Sequence, residues 1–154
     1  MATKYDSAIA SEIIAGFGAR PEMLVQILVA FVERYSYISE EAIRQLAKEL
    51  NLSRADVHGV VSYYHDFRTE PPGRHVVKIC QAEACQAMGS RELTAHAEQS
   101  LGITLNQTSD NGELTLEPVY CLGNCACSPA VMIDEQLYGR VDANKLDGLL
   151  EKHR

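Results

Sequence analysis

The chain has 154 residues, enough for one domain or two small ones, and its 46% apolar content is that of an ordinary globular protein. A net charge of −7 argues against a nucleic-acid-binding role, because phosphate contacts need a basic face. The longest apolar stretch, Met23–Val32, is interrupted by Gln26 and is far shorter than the roughly 18 residues of a membrane span, so no span is expected.

The first residues, Met1-Ala-Thr-Lys-Tyr-Asp6, lack a basic segment followed by an apolar run. We therefore expect no secretory signal and a reducing, cytoplasmic location. Residues 1–19 predict a loose first helix, with Ile9, Ile13, Ile14 and Phe17 on one face and Gly16 and Gly18 at its end. Pro21 opens a second helix, followed by Leu24, Ile27, Leu28, Phe31 and Tyr35 at helical spacing. Ser39 caps a third, with Glu40 and Glu41 at its positive end, Ile43, Leu46, Ala47 and Leu50 inward, and Asn51 as its stop. Ser53-Arg-Ala-Asp56 reads as a capping box for a fourth helix, with Val57, Val60, Val61 and Tyr64 inward. These stripes are most simply core, and they make a four-helix unit over residues 1–70.

Residues 65–74 form a linker in which Pro71-Pro72-Gly73 forbids regular structure. His65 beside Asp66 reads as a hydrogen-bonded surface pair, since no nucleophile is near in sequence. A second domain spans 75–154. It opens with a strand, His75–Cys80. A helix capped by Ser90 runs to about Leu101, with Leu93, Ala97 and Leu101 inward and Gly102 closing it. Strands are expected at 103–108 and 113–119 around Asp110-Asn-Gly112, then at Ala130–Ile133 and Leu137–Val141. Asp142 caps a last helix over 143–152. The order is close to a thioredoxin-like layout, and the chain as a whole is α+β.

Four cysteines in this second domain carry the chemistry. Cys80 and Cys85 are spaced C-x₄-C, and Cys121 and Cys125 are spaced C-x₃-C. Both pairs lie in loops that leave strand ends, where two loops can meet. In a reducing compartment such pairs point to metal or redox chemistry rather than disulfides. A zinc cage also takes cysteine pairs, usually about two to four residues apart, so the spacings sit at the wide end of that range. A [2Fe–2S] cluster takes four thiolates in wider loops, and the spacing favours it while leaving zinc open. Gly123 supplies the positive φ that a tight ligand loop often needs. No histidine lies inside either pair, which disfavours a His₂Cys₂ centre, and His75 reads as solvated. Thiol exchange of the thioredoxin type needs C-x-x-C at a helix start, which is missing. The fifth cysteine, Cys127, reads as a small buried residue under the loop, with substitute ligand as its second reading.

The run Cys80-x₄-Cys85…Cys121-Leu-Gly-Asn-Cys125-Ala-Cys127-Ser-Pro-Ala-Val-Met-Ile…Tyr-Gly-Arg140 resembles the thioredoxin-like [2Fe–2S] subunit family of NADH dehydrogenases. That family includes the small flavin-adjacent subunit of respiratory complex I and matching subunits of NAD-linked hydrogenases and formate dehydrogenases. The similarity runs from about residue 20 to the C-terminus. Tyr64-His-Asp-Phe-Arg68 and Cys80-Gln-Ala-Glu-Ala-Cys85-Gln-Ala-Met-Gly89 most resemble the gamma subunit of soluble NAD-dependent formate dehydrogenase. Asn124 and Cys127 depart from the small residues that many relatives carry there.

The resemblance implies a thioredoxin-like [2Fe–2S] ferredoxin domain after the helical unit, holding one cluster on Cys80, Cys85, Cys121 and Cys125. It implies a non-catalytic electron-transfer subunit that docks, largely through its helices, on a flavin- and NAD-binding partner beside further catalytic subunits. FMN, NAD and any molybdenum or tungsten cofactor are expected on those partners, because this chain has no G-x-G-x-x-G fingerprint. The equivalent component of complex I or of an NAD-reducing hydrogenase is the alternative, and a zinc-stabilised interaction module is the alternative of another class. Thioredoxin-like folds also often hold a cis proline before a strand, which makes Ser128–Pro129 a candidate cis bond, with cis and trans left open.

Overall fold

The structure, a computed structural model, describes residues 4–153. The first helix was expected from residue 1, and the last domain to residue 154; residues 1–3 and 154 lie outside the described residues. The chain divides into two compact units, Met1–Pro71 and Pro72–Arg154, with the boundary inside the proline-rich segment.

The first unit holds four α-helices: α1 (Ser7–Gly16), α2 (Leu24–Tyr35), α3 (Glu40–Glu49) and α4 (Arg54–Tyr63). Local chemistry sets their ends. The Asp6 carboxylate accepts the Ala8 and Ile9 N–H groups at the start of α1. Pro21 opens a single 3₁₀ turn, Pro21–Met23, that leads into α2. Ser39 accepts the Ala42 N–H, and Ser53 and Asp56 form the reciprocal capping box expected for α4. Asn51 takes φ +53 just beyond α3, which ends the helix there.

Ala10, Ile14, Ile27, Leu28, Phe31, Leu46, Val57 and Val61 are all buried in one core. Each contributes about 1.5–3 kcal/mol by leaving water if large, less if alanine. The Tyr35 ring is buried with them, and its hydroxyl donates to the Asp6 carbonyl at 3.0 Å, so its one polar atom is satisfied. Tyr64 departs from expectation. It was expected inward, but α4 ends at Tyr63 and Tyr64 turns to extended backbone (φ −93°, ψ 123°). Its ring is exposed, and Phe67 fills the core position instead. No single helix among the described residues is long and apolar enough to cross a membrane.

The second unit is a five-stranded mixed sheet, ordered β2-β3-β1-β4-β5. Its strands are β1 (His75–Cys80), β2 (Gln107–Thr108), β3 (Leu114–Val119), β4 (Val131–Ile133) and β5 (Gln136–Tyr138). Strands β1 and β3 are parallel, from His75↔Leu114 to Cys80↔Val119, and every other pairing is antiparallel. Alternation gives the sheet one apolar face, built from Val77, Ile79, Leu114, Leu116, Val131 and Ile133. Helices α6 (Ser90–Leu101) and α7 (Ala143–Leu150) contribute Leu93, Ala97, Leu146, Leu149 and Leu150 to the same core. Lys78 and Glu117 pair across β1 and β3 on the other face at 3.9 Å.

Four details differ from expectation, the first being the last strand, expected over Leu137–Val141 but ending at Tyr138 as β5. A short helix, α5 (Glu83–Ala87), occupies the first cysteine loop, where no regular element was expected. The strand expected over 103–108 shrinks to β2, because the Gln107 N–H turns back to the Thr104 carbonyl and Asn106 takes φ +67. Ser90 is not the cap of α6. Gly89, at φ +93, holds that place, a backbone state that glycine reaches at little cost. Of the two states left open for Ser128–Pro129, the bond is cis.

Candidate metal centre

Parallel pairing of β1 with β3 brings the two strand ends Cys80 and Val119 side by side. The chain that leaves β1 carries Cys80 and Cys85, and the chain that leaves β3 carries Cys121 and Cys125. Backbone bonds fasten both exits: Gln81 N–H donates to the Val119 carbonyl at 2.7 Å, and Cys80 N–H to the Ala130 carbonyl at 3.1 Å.

The first loop is held from behind by α6. The buried Ser90 hydroxyl donates to the Cys80 carbonyl. Thr94 donates to the Ser90 carbonyl at 2.8 Å and accepts from the Gln81 amide at 2.8 Å. The Gln86 amide donates to the Gln81 carbonyl at 2.6 Å. The second loop is held by the chain after β5. Arg140 N–H donates to the Cys127 carbonyl at 2.6 Å and Val141 N–H to the Pro129 carbonyl at 3.1 Å. Gly139 passes so close that a Cβ on it would lie 2.7 Å from Cys127 Cβ. Cys127 itself is half-buried, packed by its backbone and Cβ against this crossing. Gly123 has the positive φ expected, +72, and its N–H donates to Cys121 Sγ at 3.3 Å.

All four cysteines are free thiols and they converge. Cys121 Sγ and Cys125 Sγ lie 3.9 Å apart. Two thiolates on one tetrahedral ion, at ~2.3 Å each, stand about 3.7 Å apart, so this pair already has ligand spacing. Cys80 and Cys85 interact with each other, and Ser128, in contact with Cys85 Sγ and with the Cys125 carbonyl, links the two loops.

The environments differ. Cys80 and Cys85 are each only 2% exposed, whereas Cys121 and Cys125 are exposed. Burial pushes the Cys80 thiol up, against the Ala82 and Leu122 N–H groups that favour its thiolate. Burial opposes the Cys85 thiolate too, but the Ser128 hydroxyl, the Ala130 N–H and Cys80 outweigh it and hold this thiol down. Cys125 is pushed up, chiefly by the neighbouring Cys121 sulfur. Ser128 Oγ lies 3.4 Å from Cys85 Sγ and donates to the Cys125 carbonyl at 2.8 Å.

The donor set is four sulfurs from two loops, ringed by N–H groups, and it fits a group that carries negative charge on thiolates. Sequence reading did not single out Ser128, Gln81, Gln86 or Thr94, and it read Ser90 as a cap. The signal available for Ser90 was its place directly after Gly89. His75 is not a bare solvated residue: its Nδ1 lies 2.9 Å from an Asp134 carboxylate oxygen.

Comparison with known proteins places these features in a wider set. The family model described as thioredoxin-like [2Fe-2S] ferredoxin matches residues 10–154. The chain is 31% identical over 142 residues to an NADH-quinone oxidoreductase subunit of Buchnera aphidicola subsp. Baizongia pistaciae, covering 92% of this chain and 83% of that protein. It is 33% identical over 129 residues to the counterpart of that protein in Pseudomonas aeruginosa, covering 84% and 78%. Among solved structures it resembles the NAD+-reducing [NiFe]-hydrogenase in the air-oxidized state, with a TM-score of 0.71, 25% identity and 84% of this chain covered. The chain spans 22% of the length of that hydrogenase chain.

Proposed function

This chain belongs to the thioredoxin-like [2Fe-2S] ferredoxin family, and from that premise we propose that it is the electron-transfer subunit of an NADH-type oxidoreductase, carrying its cluster on Cys80, Cys85, Cys121 and Cys125. The observation that supports this most is the meeting of the two cysteine loops, with Cys121 and Cys125 at ligand spacing. A [2Fe–2S] cluster, when bound, accepts and returns one electron at a time.

The chain's own residues supply the rest. Cys80 with Cys85, and Cys121 with Cys125, would hold the irons as thiolates. The N–H groups of Ala82, Leu122, Gly123 and Ala130 would stabilise negative charge on sulfur. Burial of Cys80 and Cys85 excludes water from one side. Exposure of Cys121 and Cys125 leaves the other side open to a partner, and so sets where an electron passes.

Among the complexes, we favour soluble NAD-dependent formate dehydrogenase, with this chain as its gamma subunit in the cytoplasm. The resemblance of Tyr64–Arg68 and Cys80–Gly89 supports that choice. The flavin and NAD would sit on a partner subunit, and the helical unit offers a docking face in Val25, Val60, Tyr63 and Tyr64, with both tyrosines exposed. The second reading is the equivalent component of a quinone-reducing NADH dehydrogenase, favoured by the identity to the NADH-quinone oxidoreductase relatives.

The experiment is an ultraviolet–visible spectrum of the anaerobically purified chain before and after dithionite, with iron and zinc assayed on the same sample. A brown protein that bleaches on reduction and holds about two irons is the expected result. A colourless protein with about one zinc overturns the redox reading. Affinity capture of the tagged chain from its own organism then separates the complexes by the catalytic subunit recovered with the flavoprotein.

A further inference from the structure

The second unit carries another set of metal-type donors at the far end of β1 from the cysteines. His75, Asp134 and His153 come from three separate elements: the start of β1, the turn between β4 and β5, and the final 3₁₀ turn, Glu151–His153. One donor atom from each lies within 4.8 Å of the other two. Strand β1 is six residues long, so roughly 16 Å of strand separates His75 from Cys80. No cysteine belongs to this set, and it does not depend on the cluster.

The carboxylate is fixed before any ion arrives. Asp134 takes φ +54 in the turn, and its N–H donates to the Val76 carbonyl at 2.9 Å. Its Oδ1 accepts the Val76 N–H at 3.0 Å. That leaves Oδ2, which faces His75 Nδ1 at 2.9 Å. The His153 ring lies against the His75 ring, centroids 4.8 Å apart. The Asp134 side chain is 45% exposed, so an ion has a path in from solvent.

We propose that His75, Asp134 and His153 form a binding site for a divalent ion of zinc-like preference, separate from the cysteine centre. Two imidazoles and one carboxylate suit zinc, nickel or copper, whereas calcium and magnesium want oxygen donors throughout. Donors around such an ion at ~2.1 Å stand about 3–3.5 Å apart. His75 Nδ1 and Asp134 Oδ2, 2.9 Å apart in a hydrogen bond, would exchange that bond's proton for the ion and part by a few tenths of an ångström, while His153, in the turn Glu151–His153, closes in. Three protein ligands leave the remaining positions to water. The bound ion ties that last turn to the start of the sheet.

The test uses the full anaerobic chain with its iron counted, dialysed against zinc buffered in the micromolar range. The expected result is one zinc per chain with iron unchanged, and a raised melting temperature. His153→Ala and Asp134→Asn should each weaken zinc binding at least about tenfold, since losing even a group behind a ligand costs that much. His153→Ala should abolish the rise of the melting temperature with zinc. No uptake by the parent chain, or zinc affinity in either variant equal to the parent's, overturns the proposal. Zinc uptake matched by loss of iron also overturns it, because the ion would then be on the cysteines.

Discussion

The sharpest test of how the second cysteine loop is held is Gly139→Ala. Its backbone is not in the left-handed region, so the argument is steric alone. The added methyl would lie 2.7 Å from Cys127 Cβ, 2.7 Å from Asn124 Nδ2 and 2.9 Å from the Cys127 carbonyl oxygen. The Asn124 amide can swing away, but the Cys127 atoms belong to the loop itself. Ordinary carbon contacts are about 3.5–4 Å, so the two segments must part by about 1 Å. That movement also stretches the 2.6 Å bond from Arg140 N–H to the Cys127 carbonyl. Overpacking of this kind costs about 1–3 kcal/mol. For a unit of this size each kcal/mol lowers the melting temperature by roughly 4–8 °C. Circular dichroism melts of the metal-free chain in reductant, with iron retention measured on the loaded chain, give both readouts. The control is Gly148→Ala in α7, where nothing lies within 4 Å of the new methyl. It should gain about 0.5–1 kcal/mol from helix propensity. A Gly139→Ala protein that melts with the parent and keeps its iron would refute the claim that this crossing fixes the loop.

Serine at Cys80, Cys85, Cys121 or Cys125 should remove or weaken iron binding, while Cys127→Ala should keep it; an iron-free Cys127→Ala protein would sink the ligand set. Ser128→Ala removes the hydroxyl 3.4 Å from Cys85 Sγ. Once Cys85 is a thiolate it has no proton to give, and the hydroxyl can turn its own from the Cys125 carbonyl to the sulfur; hydrogen bonds to sulfur favour the more negative reduced cluster, so a reductive titration followed by electron paramagnetic resonance should find a lower potential at unchanged iron content. An unmoved potential would show that the hydroxyl serves only the Cys125 carbonyl. In the helical unit, Tyr5 is pushed up to about 12, first by burial and then by Tyr35 and nearby carboxylates. The folded state thus holds this proton more tightly than the unfolded chain, whose value is near 10. Stability from Tyr5 is complete below about pH 10 and is lost as pH rises toward about 12. Urea melts of the parent and Tyr5→Phe at about pH 9 and about pH 11 should show their stability gap shrinking, and a constant gap would argue against it.

The helices were legible because their ends are written locally. Asp56 lies three residues after Ser53 whatever the fold does, and the box closes as read. The apolar stripes of α2 and α3 likewise needed only spacing. What sequence could not show was anything set by partners distant in the chain. Tyr64 has helical spacing with Val57 and Val61, yet the helix stops one residue short and Phe67 takes its place. Ser90 has the chemistry of a cap, but the carbonyl of Cys80, ten residues back, claims its hydroxyl. The pairs Cys80, Cys85 and Cys121, Cys125 could be named from spacing. Their unequal burial could not, because it depends on which strand end lies beside β4 and α6. Ser128 reaches Cys85, and Gly139 reaches Cys127, only through tertiary contact, so neither carries a local signature.

The ends of the sheet have a consequence of their own. Its outermost strands, β2 and β5, are two and three residues long. Pro118 in β3 has no N–H to offer and lies past the point where β2 stops, since β2 pairs only with Thr115 and Leu116. A passing strand from another molecule would therefore find few free ladder positions on either rim. The proposed function would place this chain among other subunits, and it would have to exist for a time without them. Rims this short let it do so without growing onto its own copies, and leave association to side-chain surfaces, which can be selective.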